Sequence, residues 1–219
     1  MTATTGSADR SALIPEPQEI ERYTLFDRIL HWGVTLAFVY LLLSGFALAY
    51  PRLAWLATWL GGGQTIRAVH PWIGVVFSVG IVLMLVTWAR DMGFERSDRT
   101  WARRLGRYTR EGHTGVDVGR FNAGQKGYFW FVIVFGLMLL LTGIPLWFPS
   151  LMSAGWEQAA RLLHHVAYLL MFGGFIIHVF MSTALLPGTL PAMTTGRVTR
   201  RWAAWHHPRW FRQQIGARK

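Results

Sequence analysis

Five histidines lie within or beside long stretches of apolar sequence, at positions 31, 70, 164, 165 and 178. An ionisable side chain inside a membrane helix is costly, so each of them is a candidate for function. No Asp or Glu accompanies them in the apolar cores, which favours neutral imidazoles acting as ligands over a carboxylate proton relay. For any one histidine alone, an interhelical hydrogen bond is the simpler interpretation.

The spacing of the histidines in the last apolar stretch indicates two sites at different depths. His164 and His178 are 14 residues apart, which at about 100° per residue places them on one helix face, roughly 21 Å apart along the axis. His165 points about 140° away from His178. The first two stretches supply one histidine at each depth, which predicts the pairs His70–His164 and His31–His178. Two such pairs in a four-helix bundle can hold two b-type haems, whereas metal transport would favour carboxylates clustered at one level.

The elements that must position these histidines are membrane helices. The chain has 219 residues, of which 52% are hydrophobic, and four stretches without Asp, Glu, Lys or Arg cover residues 34–51, 68–89, 127–156 and 162–196. Each is long enough to cross a hydrocarbon core about 30 Å thick. We therefore predict an all-α membrane protein, a four-transmembrane-helix bundle spanning residues 22–190. Its helices are expected at about 24–50, 65–90, 126–148 and 153–186, with a loop at 91–125, a flexible tail at 1–21 and a basic tail at 191–219.

The basic residues give the bundle an orientation. Nineteen of the 22 Lys and Arg residues lie in the N-terminal segment, the loop between the second and third helices, and the C-terminal tail. The positive-inside rule then predicts that both termini are cytoplasmic. The net charge of +11 is thus explained by sidedness, and nucleic-acid binding is not expected. The chain has no cysteine, so it cannot itself ligate an iron–sulfur cluster through thiolates.

The end of the long loop carries a second group of polar residues, just before the third helix. Asn122, Gly124 and Gln125 place amide groups and accessible backbone near the depth of His31 and His178. Such groups could bind the two carbonyls of a quinone headgroup. The same segment is equally well explained as a polar helix start with Asn122 as its N-cap.

Several motifs resemble those of the gamma subunits of respiratory formate dehydrogenases, which are di-haem cytochromes b of the inner membrane. The resemblance covers the chain from about Arg22 onward and includes the sequences RYTLFDRILHW, FNAGQK and RRWAAWHHPRW, His70-Pro71, and the paired histidines of the fourth helix. FNAGQK and HHPRW are fairly specific to these subunits. The histidine pattern is shared with hydrogenase cytochrome b subunits.

The resemblance implies roles for individual residues. His70 and His164 would ligate the periplasmic haem, and His31 and His178 the cytoplasmic one. The doubled histidine leaves His165 as an alternative, although the 14-residue spacing favours His164. A quinone, either menaquinone or ubiquinone, would bind near Asn122, Gly124, Gln125 and His178.

The resemblance also implies partners and a reaction. An iron–sulfur beta subunit and a catalytic alpha subunit containing molybdenum or tungsten would supply electrons from formate, and this chain would reduce quinone near the cytoplasmic side. The alternatives are the cytochrome b subunit of another periplasmic oxidoreductase, such as a hydrogenase or thiosulfate reductase, and a cofactor-free anchor or transporter whose histidines only join helices.

Overall fold

The computed structural model describes residues 18–216, which are mostly helical. Four long helices form the body of the molecule, and each is apolar and long enough to cross a membrane. They are α1 (Leu25–Ala49), α2 (Gly63–Trp88), α3 (Ala123–Trp147) and α4 (Ala154–Phe180). At 1.5 Å per residue, even 25 residues reach about 37 Å, more than the thickness of a hydrocarbon core.

Local sequence signals set where these helices begin and end. Thr24 caps α1, because its hydroxyl accepts the backbone N–H of Asp27 while the Asp27 carboxylate accepts the backbone N–H of Thr24. Pro51 follows its end at Tyr50. At the other end of the bundle, Gly61 and Gly62 have φ of 91° and 97°, a turn conformation that glycine adopts without strain, and α2 follows directly.

The four helices pack as a closed bundle around aromatic side chains and small residues. Phe38 of α1 contacts Phe175 of α4 with ring centres 5.4 Å apart. Gly136 of α3 faces Ile81 and Phe77 of α2 so closely that an added Cβ would lie 2.6 Å from the Ile81 Cδ1 atom. Large apolar side chains cover the outside of the bundle, among them Leu36, Val86, Leu141 and Ile177. An apolar exterior of this kind suits a hydrocarbon solvent.

Both ends of the described chain and the α2–α3 connection lie together at one end of the bundle, here called the terminal side. Strand β1 (Glu19–Glu21) pairs antiparallel with strand β2 (Arg197–Thr199), with Ile20 opposite Val198. Residues 19–21 therefore belong to a strand, where we expected a flexible tail. Residues 1–17 of that predicted tail lie outside the described part of the chain.

The α2–α3 connection is folded and contains two short consecutive helices, Arg96–Arg103 and Leu105–Glu111, which together are called the loop hairpin. After β2, two further helices (Arg200–His206 and Pro208–Gly216) lie against the same connection, where Arg209 donates its backbone N–H to the Val118 carbonyl at 3.0 Å. The basic C-terminal segment is thus held by protein contacts.

Arg22 is the buried centre of this terminal layer, with a side chain only 4% exposed. Its guanidinium donates to the backbone carbonyl of Arg120 and lies 3.4 Å from Nε2 of His207 and 4.5 Å from the ring centre of Trp210. His207 in turn donates from Nδ1 to the Gly119 carbonyl at 2.9 Å. Burial and the nearby Arg22 charge hold the pKa of His207 well below its usual value, so His207 is neutral and its Nε2 accepts a hydrogen bond from Arg22.

Candidate functional site

His31 and His178 face each other between α1 and α4, near the terminal side. Their ring centres are 6.1 Å apart. Two imidazoles that bind one metal ion from opposite sides have ring centres roughly 6 Å apart, because each metal–nitrogen bond is about 2 Å long. Nδ1 of His31 is buried without a hydrogen-bond partner in the described chain. Tyr128 of α3 stacks on His178 with ring centres 4.6 Å apart and planes 5° from parallel, which limits the ring's rotation.

A π-helical turn (Met181–Leu185) directly follows α4, three residues after His178. Single π turns in helices are frequently found at functional sites.

His70 and His164, the second predicted pair, lie on α2 and α4, towards the opposite side of the bundle. Nδ1 of His70 is 2.7 Å from the Ser44 hydroxyl of α1, and Nδ1 of His164 is 2.9 Å from the Thr142 hydroxyl of α3. Both rings are therefore held from a neighbouring helix through Nδ1, which leaves Nε2 as the nitrogen available to a ligand.

His165 occupies a different environment from His164. Its Nδ1 is 2.7 Å from the Arg161 carbonyl of its own helix, and its ring lies 5.6 Å from that of Tyr168. This arrangement agrees with the helical angle calculated from the spacing and supports His164 over His165, although the choice of ligand stays a prediction.

Glycines leave room beside the second histidine pair. A Cβ added at Gly45 would lie 3.8 Å from Cε1 of His70, and one at Gly143 would lie 3.5 Å from Cε1 of His164. An added Cβ at Gly74 or Gly173 would meet no other atom within 4 Å. The facing imidazoles of His31 and His178, and the small residues beside the rings of His70 and His164, fit the binding of a flat macrocycle such as haem b. No group of three or more His, Asp or Glu side chains in residues 18–216 is arranged to hold a metal ion, so paired rather than clustered ligands are what the described chain offers.

The residues predicted to bind quinone lie at the first turn of α3. Asn122 is 3% exposed and caps the helix: its side chain accepts the Gln125 backbone N–H at 2.9 Å, and Gln125 Oε1 accepts the Asn122 backbone N–H at 3.0 Å. The Asn122 amide also donates to the hydroxyl of Tyr108 at 3.3 Å, while burial raises the pKa of Tyr108 to about 12. The N-cap interpretation is therefore correct. In this capped turn, Gly124 is exposed and the amide nitrogen of Gln125 has no partner among the described residues.

Sequence reasoning missed several residues that support these sites. Lys126, the last residue of the FNAGQK motif, is buried and pairs with Asp98 of the loop hairpin at 2.8 Å. Ser44 and Thr142 were also missed. A lone hydroxyl in an apolar run usually bonds only to its own helix backbone, so its type carries no signal for a histidine contact.

Comparison with known proteins places the chain in a family. The profile of the prokaryotic cytochrome b561 family matches residues 22–196. The cytochrome b556(Fdn) subunit of the nitrate-inducible formate dehydrogenase of Escherichia coli K12 is 33% identical over 198 residues, which cover 89% of this chain and 91% of that protein. The formate dehydrogenase cytochrome b556 subunit of Haemophilus influenzae is 33% identical over 207 residues, or 92% and 86% of the two chains.

A more distant relative is the putative protein-methionine-sulfoxide reductase subunit YedZ1 of Azospira oryzae, 27% identical over 187 residues, which cover 77% of this chain and 93% of that protein. The similarity to formate dehydrogenase subunits is both higher and spread over more of the chain. Because the family profile covers all four long helices and the relatives match most of the chain, we conclude that the chain belongs to the prokaryotic cytochrome b561 family, together with the cytochrome b556 subunits of formate dehydrogenases.

Proposed function

We propose that this chain is the cytochrome b subunit of a membrane-bound formate dehydrogenase and that it holds two b-type haems. The observation that carries the proposal is the opposed pair of His31 and His178, whose 6.1 Å ring separation suits one metal ion between them. His70 and His164 would hold the second haem. A haem held between two histidines would supply one-electron transfer rather than bind a substrate.

The orientation of the bundle follows from its basic residues. Among residues 18–216, most of the Lys and Arg residues lie in the segments of the terminal side, at the start of α1, between α2 and α3, and after α4. We therefore assign the terminal side to the cytoplasm, with both termini there, and place the protein in the bacterial inner membrane. His31 and His178 then belong to the cytoplasmic half, and His70 and His164 to the periplasmic half.

This orientation defines an electron route across the membrane. Formate is oxidised on a periplasmic alpha subunit that contains molybdenum or tungsten, and an iron–sulfur beta subunit passes the electrons to the His70–His164 side. The chain itself has no cysteine, in keeping with clusters held by a partner. Electrons leave at the His31–His178 side, where quinone is reduced.

The first turn of α3 is the proposed site for the quinone headgroup, either menaquinone or ubiquinone. Exposed Gly124 leaves backbone accessible, and the amide nitrogen of Gln125 is available to donate to a quinone carbonyl. Asn122 holds this turn in place as its cap. Tyr128, one turn further along α3, stacks on His178 of α4 and so connects this turn to a proposed ligand of the cytoplasmic haem. Two electrons and two protons from the cytoplasm convert quinone to quinol.

The visible spectrum of the purified protein tests the haem assignment. We expect reduced b-type bands and two haems per chain, with one haem lost in His31→Ala or His178→Ala and the other lost in His70→Ala or His164→Ala. His165→Ala is the matched control and should keep both. A haem content near zero in the wild-type protein would refute the proposal. Loss of haem in His165→Ala but not in His164→Ala would show that His165 is the ligand in place of His164. Copurification of the two partner subunits tests the assignment to formate dehydrogenase.

A further inference from the structure

Ser44 and Thr142 make the same contact at equivalent places in the two halves of the bundle. Ser44 of α1 bonds to His70 of the following helix, and Thr142 of α3 bonds to His164 of the following helix, each through Nδ1. Each hydroxyl residue is followed by a glycine that lies beside the same imidazole. Each histidine of the pair therefore has the same two neighbours, a hydroxyl at Nδ1 and a glycine beside the ring.

The carbonyl groups beside the two hydroxyls indicate the direction of these hydrogen bonds. Ser44 lies 2.7 Å from the Tyr40 carbonyl, and Thr142 lies 2.7 Å from the Met138 carbonyl, each four residues earlier in its own helix. A hydroxyl has one proton to donate, and when it donates that proton to the carbonyl, its oxygen can accept a hydrogen bond from Nδ1–H of the histidine. Nδ1 of the ring then carries the proton, and Nε2 keeps the lone pair that a metal requires.

We propose that Ser44 and Thr142 are positioning residues that fix the tautomer and ring orientation of His70 and His164 for haem ligation. This inference rests on the proposed function. An acceptor on Nδ1–H makes a ligating imidazole more basic, which favours the oxidised metal. Nδ1 of His31 has no such partner in the described chain, so the two haem sites differ in the support given to their ligands. The two hydroxyls thereby lower the reduction potential of the periplasmic haem relative to an unsupported site.

Paired substitutions separate the hydroxyl from its packing. Thr142→Val keeps the shape of the side chain and removes the hydroxyl, whereas Thr142→Ser keeps the hydroxyl and removes a methyl group. Ser44→Ala tests the other ligand. Ser78→Ala is the control, because among residues 18–216 the buried Ser78 hydroxyl bonds only to the Gly74 carbonyl of its own helix, at 2.8 Å.

The measurement is a redox titration of the purified haem-containing protein, followed by visible spectroscopy, with electron paramagnetic resonance of the oxidised haems. We expect Thr142→Val and Ser44→Ala to raise the midpoint of one haem and shift its resonance signal while the other haem is unchanged. Loss of a second-shell partner commonly costs 10- to 100-fold in metal affinity. Each tenfold loss confined to the oxidised state raises a one-electron midpoint by about 59 mV. Thr142→Ser and Ser78→Ala should behave as wild type.

The outcomes divide clearly. Unchanged midpoints in both hydroxyl-free variants, with two haems retained, would overturn the inference while leaving the proposed function intact. Haem loss in both Thr142→Val and Thr142→Ser would also overturn it, since packing and not the hydroxyl would then be responsible. Haem loss in Thr142→Val alone supports it. Absence of haem from the wild-type protein would instead refute the proposed function.

Discussion

Replacing Asp98 with alanine should release the loop hairpin from the start of α3. The Asp98 carboxylate accepts a hydrogen bond from Lys126 Nζ at 2.8 Å, and the two side chains are only 9% and 3% exposed. Removing one partner of a buried pair costs about 3–5 kcal/mol, because the remaining charge is left uncompensated. Glu95, whose carboxylate lies 3.9 Å from the same nitrogen, offsets part of this, so the lower value of about 3 kcal/mol applies.

The same carboxylate has a second role that adds to the cost. It accepts the Glu95 backbone N–H at 2.7 Å at the start of the hairpin's first helix. Loss of such a cap costs about 1 kcal/mol. The free energy of local opening of the hairpin should therefore fall by about 4 kcal/mol in Asp98→Ala, which corresponds to a roughly thousandfold larger open population, at 1.36 kcal/mol per factor of ten.

Hydrogen–deuterium exchange of peptides covering residues 96–111 measures this opening directly, since the exchange rate follows the open population. Asp98→Asn should show a smaller effect, because the amide oxygen still caps the helix. The double variant Asp98→Leu with Lys126→Met should exchange nearly as wild type, because it leaves no buried charge. Asp91→Ala is the matched control, since its ion pair with Arg120 is exposed and worth at most about 1 kcal/mol. Exchange of the Asp98→Ala hairpin within threefold of wild type would refute the reasoning.

Three further predictions concern packing, pH and turnover. Gly136→Ala should lower the free energy of unfolding of the detergent-solubilised protein by about 1–3 kcal/mol, because the added Cβ would crowd buried neighbours. Gly155→Ala is the control, since its added Cβ meets no other atom within 4 Å and should change the stability little. Equal effects of the two substitutions would contradict this prediction. Burial lowers the pKa of His206 to about 4, so its imidazole is neutral in the folded protein. The free energy that stabilises the packed C-terminal helices is therefore highest above pH 6.5 and falls as the pH drops towards 4, by about 2 kcal/mol at pH 5. Proteolysis of the C-terminal segment measured from pH 7 to pH 5 should therefore accelerate. His206→Gln should reduce this dependence, and the part that remains is expected from His207, whose pKa is also lowered. Gln125→Leu should slow quinol formation while both haems remain reducible by formate; loss of haem would show a structural role instead.

The membrane helices could be predicted from the sequence because burying a charge in hydrocarbon is costly, so the segments that cross the membrane lack Asp, Glu, Lys and Arg. The angular argument that separated His164 from His165 also depended only on helix geometry, and His164 contacts a neighbouring helix while His165 bonds to its own backbone. These inferences need no knowledge of how the helices pack.

The terminal layer could not be predicted in the same way. Arg22 and His207 are 185 positions apart, and neither residue type indicates the other as a partner. An arginine near a helix start and a histidine in a basic tail are each ordinary on a solvated surface. Only the packed chain shows that the guanidinium is enclosed by aromatic rings and that the imidazole is neutral.

The pairing of β1 with β2 means that the terminal layer can form only late in synthesis of the chain. The residues that flank Ile20 leave the ribosome before α1, but their partners around Val198 are made only after α4. During this interval Arg22 lacks the carbonyl and imidazole that later surround it, and the first strand has an open edge. Closure of the terminal layer therefore requires that all four helices have been synthesised, and a chain halted before Val198 would lack the partner of β1 and the groups that enclose Arg22.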